Sequence, residues 1–276
     1  MPELPEVELV ARALDKLLRG RAVVSAKLLR ARLAPDNTPP EFARRLRGAR
    51  FEEVGRRGKH ILAKFDNGQV LVTHLRMTGR FLLLDENGPL PAHAHAVFKL
   101  EDGRRLVFTD QRHFGLMKIA RASELESAKE LRRLAPEPFS DEFSHDYFAG
   151  VLARTRRALK DVLLDQTKVT GLGNIYAAEA LFLARINPFA PASEISSRRI
   201  RRLRQSVLDV LGEAIAHGAA AEVDPENIDG SYFSGEGGRW RVYDREGEHC
   251  RVCRARIRRV AHAGRSTYFC PRCQRR

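Results

Sequence analysis

The residues with the most chemistry per position stand at the two ends of the chain. It opens Met1-Pro2-Glu3-Leu4-Pro5-Glu6. Removal of Met1 leaves Pro2 as a terminal secondary amine, which can attack an electrophilic carbon and pass directly to an iminium ion. Glu3 is its neighbour and Glu6 lies one turn further on. A carboxylate at that point can donate or shuttle a proton. The same six residues also read as an ordinary acidic helix start. At the far end, Cys250-x2-Cys253 and Cys270-x2-Cys273 are separated by 16 residues. That spacing predicts two knuckles closing a tetrahedral four-thiolate zinc site, structural because no ligand position stays open.

These groups need elements to hold them. Val7, Val10, Leu14, Leu17 and Leu18 form a helical stripe, with Pro5 suited to the first turn. That helix end is positive and faces the amine and the carboxylates. Strand-like runs follow with turn signals between them: His60–Phe65, Asp66-Asn67-Gly68, Gln69–Leu75, and again His95–Leu100, Glu101-Asp102-Gly103, Arg104–Thr109. Such hairpins predict a sandwich or barrel. The tract Leu131–Ser140, with Pro136 and Pro138, reads as a linker. Beyond it the pattern is helical over Phe143–Leu164, Asn174–Leu183 and Ser196–His217, the last dense in arginine at its start. Thr170-Gly171-Leu172-Gly173-Asn174 is a tight turn opening a helix. It reads equally as a phosphate cradle and as a plain connection. Ala219–Gly238 lacks periodicity and reads as a long loop.

A net charge of +14 spread along 276 residues calls for a large polyanion. Nucleic acid leads and an anionic membrane surface is second. No apolar run is long enough to span a bilayer, the N-terminus lacks the pattern of a signal peptide, and the cysteine usage fits a reducing compartment. A cytoplasmic, nucleoid-associated monomer is expected. Arg254, Arg256, Arg258, Arg259 and Arg265 lie between the knuckles, so the ribbon should present a basic face to phosphate.

The ordered set of motifs resembles the formamidopyrimidine-DNA glycosylase family, related to endonuclease VIII, over essentially the whole chain. The matching stretches are Met1–Glu8, Gly55-Arg56-Arg57-Gly58-Lys59-His60, Leu75-Arg76-Met77-Thr78-Gly79, Asp110-Gln111-Arg112-His113-Phe114-Gly115, Gly171–Tyr176 and Gly264-Arg265-Ser266-Thr267. The resemblance implies an α+β fold in three parts. These are an N-terminal β-sandwich with a flanking helix (1–134), a helix–two-turns–helix domain with a lesion loop (135–240), and a zinc-ribbon β-hairpin (241–276). It implies one structural zinc on Cys250, Cys253, Cys270 and Cys273, and a partner of double-stranded DNA carrying a damaged base or an abasic site.

It also implies roles. Pro2 attacks C1′ of the damaged nucleotide and forms a Schiff base, and Glu3 donates the proton, with Glu6 and Glu179 in support. Lys59 serves β-elimination, and Arg265 holds the lesion's phosphates and assists δ-elimination. Asn174 bonds the same phosphates. Met77, Arg112 and Phe114 fill the gap left by the everted nucleotide. His93 and Arg156 match DNA-contact positions, though they also read as a surface histidine and a solvated helix face. Some positions depart from the family. His113 stands for a second arginine, Ala94 for an aspartate and Asp244 for a glycine. Gly218–Asp224 has alanines where hydroxyls and a glycine are usual. That last change leads us to expect weaker 8-oxoguanine excision than the family's, with abasic sites and ring-opened purines still processed. Two alternatives remain open: an endonuclease VIII-like preference for oxidised pyrimidines, and a damage-binding protein that cleaves weakly.

Overall fold

The computed structural model describes residues 2–220, 224–228 and 240–275. The chain forms two compact units. One is Met1–Arg132 with the described part of His217–Phe233; the other is Arg133–Ala216 with the described part of Ser234–Arg276.

The first unit begins with α1 (Leu4–Leu18). Leu4, Val7, Val10, Ala11, Leu14 and Leu18 are buried and Leu17 is partly buried against them, so the predicted stripe extends to the helix start. Two antiparallel sheets follow. One has the order β1 (Val23–Leu28), β6 (Ala94–Leu100), β7 (Arg105–Asp110), β5 (Gly79–Leu84). The other has the order β2 (Phe51–Arg57), β3 (His60–Phe65), β4 (Gln69–His74), β8 (Leu116–Arg121). Phe81, Phe98 and Phe108 of the first sheet share one apolar core with Phe51, Ile61, Phe65 and Ile119 of the second. This is the expected sandwich. Both predicted hairpin turns are present. Gly68 and Gly103 take φ of +73° and +87°, a region that penalises any residue with a Cβ. A helix α2 (Pro39–Leu46) lies against β1, capped by Thr38 Oγ1.

α1 is seated on β2 and β3. Asp15 Oδ1 accepts the Val54 N–H at 2.8 Å, and Glu8 pairs with Arg56 at 2.7 Å. The second contact ties the early turns of α1 to the end of β2, immediately before the turn that carries Lys59.

The open edge of β5 is covered by 225–228. Phe81 and Ile228 exchange N–H···O bonds of 3.1 and 2.9 Å, and Leu83 N–H donates to Pro225 O at 2.7 Å. Part of the Ala219–Gly238 stretch, read as a long loop, is thereby fixed to the sheet. Ala219 is the last residue of a helix, and 225–228 acts as an added bridge on the sheet. The signal was invisible because the pairing partner lies far away in sequence. Residues 221–223 and 229–238, Ser231 and Tyr232 among them, lie outside the described residues, as does Met1.

The second unit holds α3 (His145–Ala153), α4 (Leu159–Leu164), α5 (Asn174–Leu183) and most of α6 (Ser197–Ala219). The helical stretch expected over Phe143–Leu164 is broken. Thr155 Oγ1 accepts the Arg157 N–H at 3.2 Å, which competes with helix continuation. The backbone of Thr155 and Arg157 then accepts from Ser193 and Ala192, and Leu159 N–H donates to Ala190 O. The apolar spacing carries across the break because each helix buries apolar side chains of its own, Phe148 and Leu152 in α3 and Leu159, Val162 and Leu163 in α4. The C-terminal hairpin is β9 (Arg258–His262) and β10 (Arg265–Phe269).

Candidate active site and zinc ribbon

Pro2 is half-buried and Glu3 is 2% exposed at the entry to α1. Glu3 N–H donates to Glu6 Oε2 at 2.8 Å, and the two residues form a capping box. The Glu6 carboxylate thus fixes the residue that follows Pro2. Lys59 is 6% exposed, directly before β3. Beside it on adjacent strands stand His60 and His74, ring edge to face at 4.7 Å. Burial first, then neighbouring cationic groups including Arg76, lower His60 to about 4 and His74 to about 2. Both are therefore neutral near pH 7. Nothing local in the sequence marks these two histidines, because they become neighbours only through the β3–β4 register.

A second cluster in this unit is solvent-facing. Met77 is 40% and Phe114 47% exposed, unusual for such side chains, and Arg112 lies over the Phe114 ring at 5.1 Å. Asp110 couples their two turns. It is fully buried. Its carboxylate accepts from Thr78 Oγ1, from Arg112 N–H at 3.2 Å and from Gly115 N–H at 2.6 Å, and Arg112 N–H also reaches Thr78 Oγ1 at 3.1 Å. A Cβ on Gly115 would lie 2.8 Å from the Phe108 ring, so only glycine closes the turn. Burial pushes the Asp110 pKa up, but these donors outweigh it and hold the carboxyl below its ordinary range. Its contribution to stability is accordingly complete above the ordinary aspartate pKa and lost as pH falls through the lowered native value. Asp110→Ala should cost about 2–4 kcal/mol, since it strands several buried donors. It should also abolish that acid-side portion of the stability profile. Urea unfolding at pH 7 and below pH 4 measures both, and a variant with wild-type pH dependence would contradict this account.

His93 is exposed at φ +60°, with its ring edge-on to His113 at 5.5 Å; His113 Nδ1 is 2.9 Å from His95 Nε2. His113 thus packs against histidines.

In the second unit the N-terminus of α5 meets the ribbon. Asn174 Nδ2 donates to Ser266 O at 3.0 Å. Lys160 is 1% exposed, and its Nζ donates to the same carbonyl at 2.9 Å and to Thr267 Oγ1 at 2.7 Å. Asp161 Oδ2 lies 2.9 Å from His262 Nε2. Together they fix the hairpin whose turn presents the exposed Arg265, opposite His262 in register. In the sequence Lys160 is one more polar position within the Phe143–Leu164 pattern, and only its burial marks it out. Glu179 is buried, and its carboxylate accepts the N–H groups of Arg241, Val242 and Tyr243 at 2.8, 2.8 and 3.0 Å. It anchors the chain entering the ribbon. Arg156 is 83% exposed in its side chain and pairs with Glu194 at 3.0 Å.

The four cysteines converge, with all Sγ atoms within 4.8 Å of one another. Two of the separations are 3.8 Å (Cys250–Cys273) and 3.4 Å (Cys253–Cys270). Zn–S bonds of about 2.3 Å in a tetrahedron place sulfurs about 3.8 Å apart. The Ala255 amide lowers Cys253 to about 7, whereas burial pushes Cys270 and Cys273 up. Four thiolates at this spacing need a cation, and the site fits one structural zinc.

Family models cover most of the chain. They match the formamidopyrimidine-DNA glycosylase N-terminal domain over residues 1–117, the H2TH domain of the same enzymes over 134–224, and the zinc finger found in FPG and IleRS over 247–276. The chain belongs to the formamidopyrimidine-DNA glycosylase family. It is a DNA glycosylase of base excision repair. Among its relatives, the formamidopyrimidine-DNA glycosylase of Phenylobacterium zucineum is 42% identical over the full length of both chains. That of Desulforamulus reducens is 39% identical over 100% of this chain and 99% of its own. Among solved structures, Lactococcus lactis Fpg with N7-benzyl-Fapy-dG DNA superimposes at TM-score 0.91 with 32% identity over all of both chains. The same enzyme with abasic-site DNA superimposes at 0.91 with 31% identity, over 99% of this chain and 100% of that one. No helix among the described residues is long and apolar enough to cross a membrane.

Proposed function

We propose that the chain removes oxidised or ring-opened purines from duplex DNA and then cuts the strand, with Pro2 as nucleophile. The Pro2 nitrogen forms a bond to C1′ as the C1′–base bond breaks. The electron pair leaves with the base, which takes up a proton. Glu3 is the proton donor at the opening sugar, whose C1′ becomes an iminium carbon. Loss of a 2′ proton then expels the 3′ phosphate, with Lys59 as acid or base, and Arg265 assists departure of the 5′ phosphate. Neutral His60 and His74 add no further positive charge beside Lys59. Glu6 positions Glu3, and Glu179 holds the ribbon entry. Asn174 and Arg265 take the lesion's phosphates. Met77, Arg112 and Phe114 fill the vacated stack, and His93 and Arg156 contact backbone. The labour divides as 1–134 for chemistry, 135–240 for DNA grip and the lesion loop, and 241–276 for the zinc ribbon, and the work takes place at the nucleoid.

The observation that carries this reading is the Glu3–Glu6 bond at the N-terminus of α1. It holds a carboxylate-bearing residue and the proline before it in a fixed relation on a positive helix end. Borohydride reduction on a duplex with an abasic site tests it. The expected product is a stable protein–DNA adduct whose modified peptide begins at Pro2. Strand cleavage without any reducible adduct would refute the mechanism.

A further inference from the structure

The arginine-rich start of α6 has no part in the chemistry above. Residues 197–204 read Ser-Arg-Arg-Ile-Arg-Arg-Leu-Arg. Ile200 and Leu203 are buried, while Arg198, Arg201 and Arg202 are exposed, as is Arg185 just beyond α5. Arg204 is committed elsewhere, to Phe143 O and over the Phe143 ring. Arg199 donates one N–H to Arg275 O at 3.0 Å. Among the described residues, none of Arg185, Arg198, Arg199, Arg201 and Arg202 forms an ion pair.

Fold stability does not account for this cluster. Cations in the first turn of a helix oppose its dipole. Arg198 and Arg201, and Arg198 and Arg202, are like charges at i,i+3 and i,i+4, which repel. Burial, followed by the charges of Arg199, Arg185 and Arg198, lowers the Arg202 guanidinium pKa, the direction expected of cations facing one another without an anion.

Its place in the second unit is also informative. Asn174 opens α5 and Arg185 stands just past Leu183, so the ten-residue helix separates them by about 15 Å. The ribbon repeats the relation. Arg265 is at the hairpin turn, whereas Gln274 Nε2 donates to Ile186 O at 3.0 Å and Arg199 reaches Arg275, both beside the cysteine end. The cluster therefore lies at the opposite end of these elements from Asn174 and Arg265.

We propose that Arg185, Arg198, Arg199, Arg201 and Arg202 form a second duplex-binding face, which grips the phosphate backbone of a DNA segment other than the one carrying the lesion. This rests on the reading of Asn174 and Arg265 as lesion-phosphate contacts. The occupant follows from complementarity. Guanidinium forks spaced along one surface match phosphates. Among the described residues, none of the exposed large apolar side chains belongs to the cluster itself, and five guanidinium groups without a paired carboxylate match a phosphate backbone better than the aromatic and aliphatic anchors of a protein interface.

The test occupies the lesion site first. The full chain is trapped by borohydride on an immobilised abasic duplex, and adduct yield is measured before anything else is added. Failure at that step counts against the proposed function alone. A labelled undamaged duplex is then offered at low salt. The trapped protein should retain it, and retention should fall steeply with salt. The triple variant Arg198→Gln, Arg201→Gln, Arg202→Gln should trap and cleave like the parent, which controls for folding. It should retain the second duplex at least about tenfold less, with a salt slope shallower by roughly 2–3. The corresponding Arg→Lys triple keeps the charge and should restore retention. Absence of capture by the parent, or equal capture by the Gln triple, would overturn the proposal. So would retention of polyglutamate in preference to duplex, which would assign the face to an acidic protein.

Discussion

A chain that keeps an uncleaved residue ahead of Pro2 is expected to form no borohydride adduct and to lose base excision and strand cleavage together. An acylated proline nitrogen is an amide, its lone pair delocalised into the carbonyl, so no iminium can form. Losing a covalent nucleophile typically costs on the order of 10⁴–10⁶ in rate. The extended chain should still bind a non-cleavable abasic analogue, because the sandwich core and the ribbon do not depend on the terminal nitrogen. Binding without chemistry is thus the expected signature, read by an affinity measurement beside single-turnover cleavage. Trapping through the N-terminal segment of the extended chain would remove Pro2 as the nucleophile.

The second large effect concerns the metal. Cys270→Ser should abolish zinc binding and lower DNA affinity on the order of 10²-fold at physiological salt, the weight of two or three phosphate contacts. Structural zinc supplies about 10–16 kcal/mol of apparent binding free energy, and here that energy holds a short hairpin. Cys250 and Cys270 are fully buried within a small cluster containing Ile257 and Tyr268. Without the metal this cluster has too little apolar area to keep the strands paired. Arg265 then loses its fixed position despite the Lys160 and Asn174 bonds to Ser266. Zinc content and duplex affinity, measured on the same preparation, decide the matter. Metal-free protein that binds as tightly as the parent would show the ribbon to be dispensable.

Much of this was legible in the sequence because the signals are local. Two Cys-x2-Cys pairs, two glycine-closed hairpin turns and one apolar helical stripe each specify their element within a few residues. Others depend on partners distant in the chain. The break between α3 and α4 comes from backbone pairing with residues 190–193, which no periodicity across 143–164 can reveal. Asp110 looks like one more acidic residue at a strand end, yet it gathers donors from two turns and sets the Met77 and Phe114 side chains relative to one another. Lys160 sits in an apolar stripe and would pass for a snorkelling surface lysine until its carbonyl and hydroxyl partners are seen. Burial of a polar group is a property of the assembled fold, and single-residue patterns carry little of it.

The bridge between 225–228 and β5 bears on how this polypeptide can be divided. The chain passes from the first unit to the second near residue 132, returns near 217, and leaves again near 233. A fragment ending in the 131–140 tract would hold all eight strands of the sandwich but would leave the Phe81 and Leu83 amides on a bare sheet margin, free to recruit a strand from another molecule. Chimaeras spliced at that single junction should therefore be sticky and poorly behaved, whereas exchanges that carry 217–233 along with the N-terminal part keep the margin sealed.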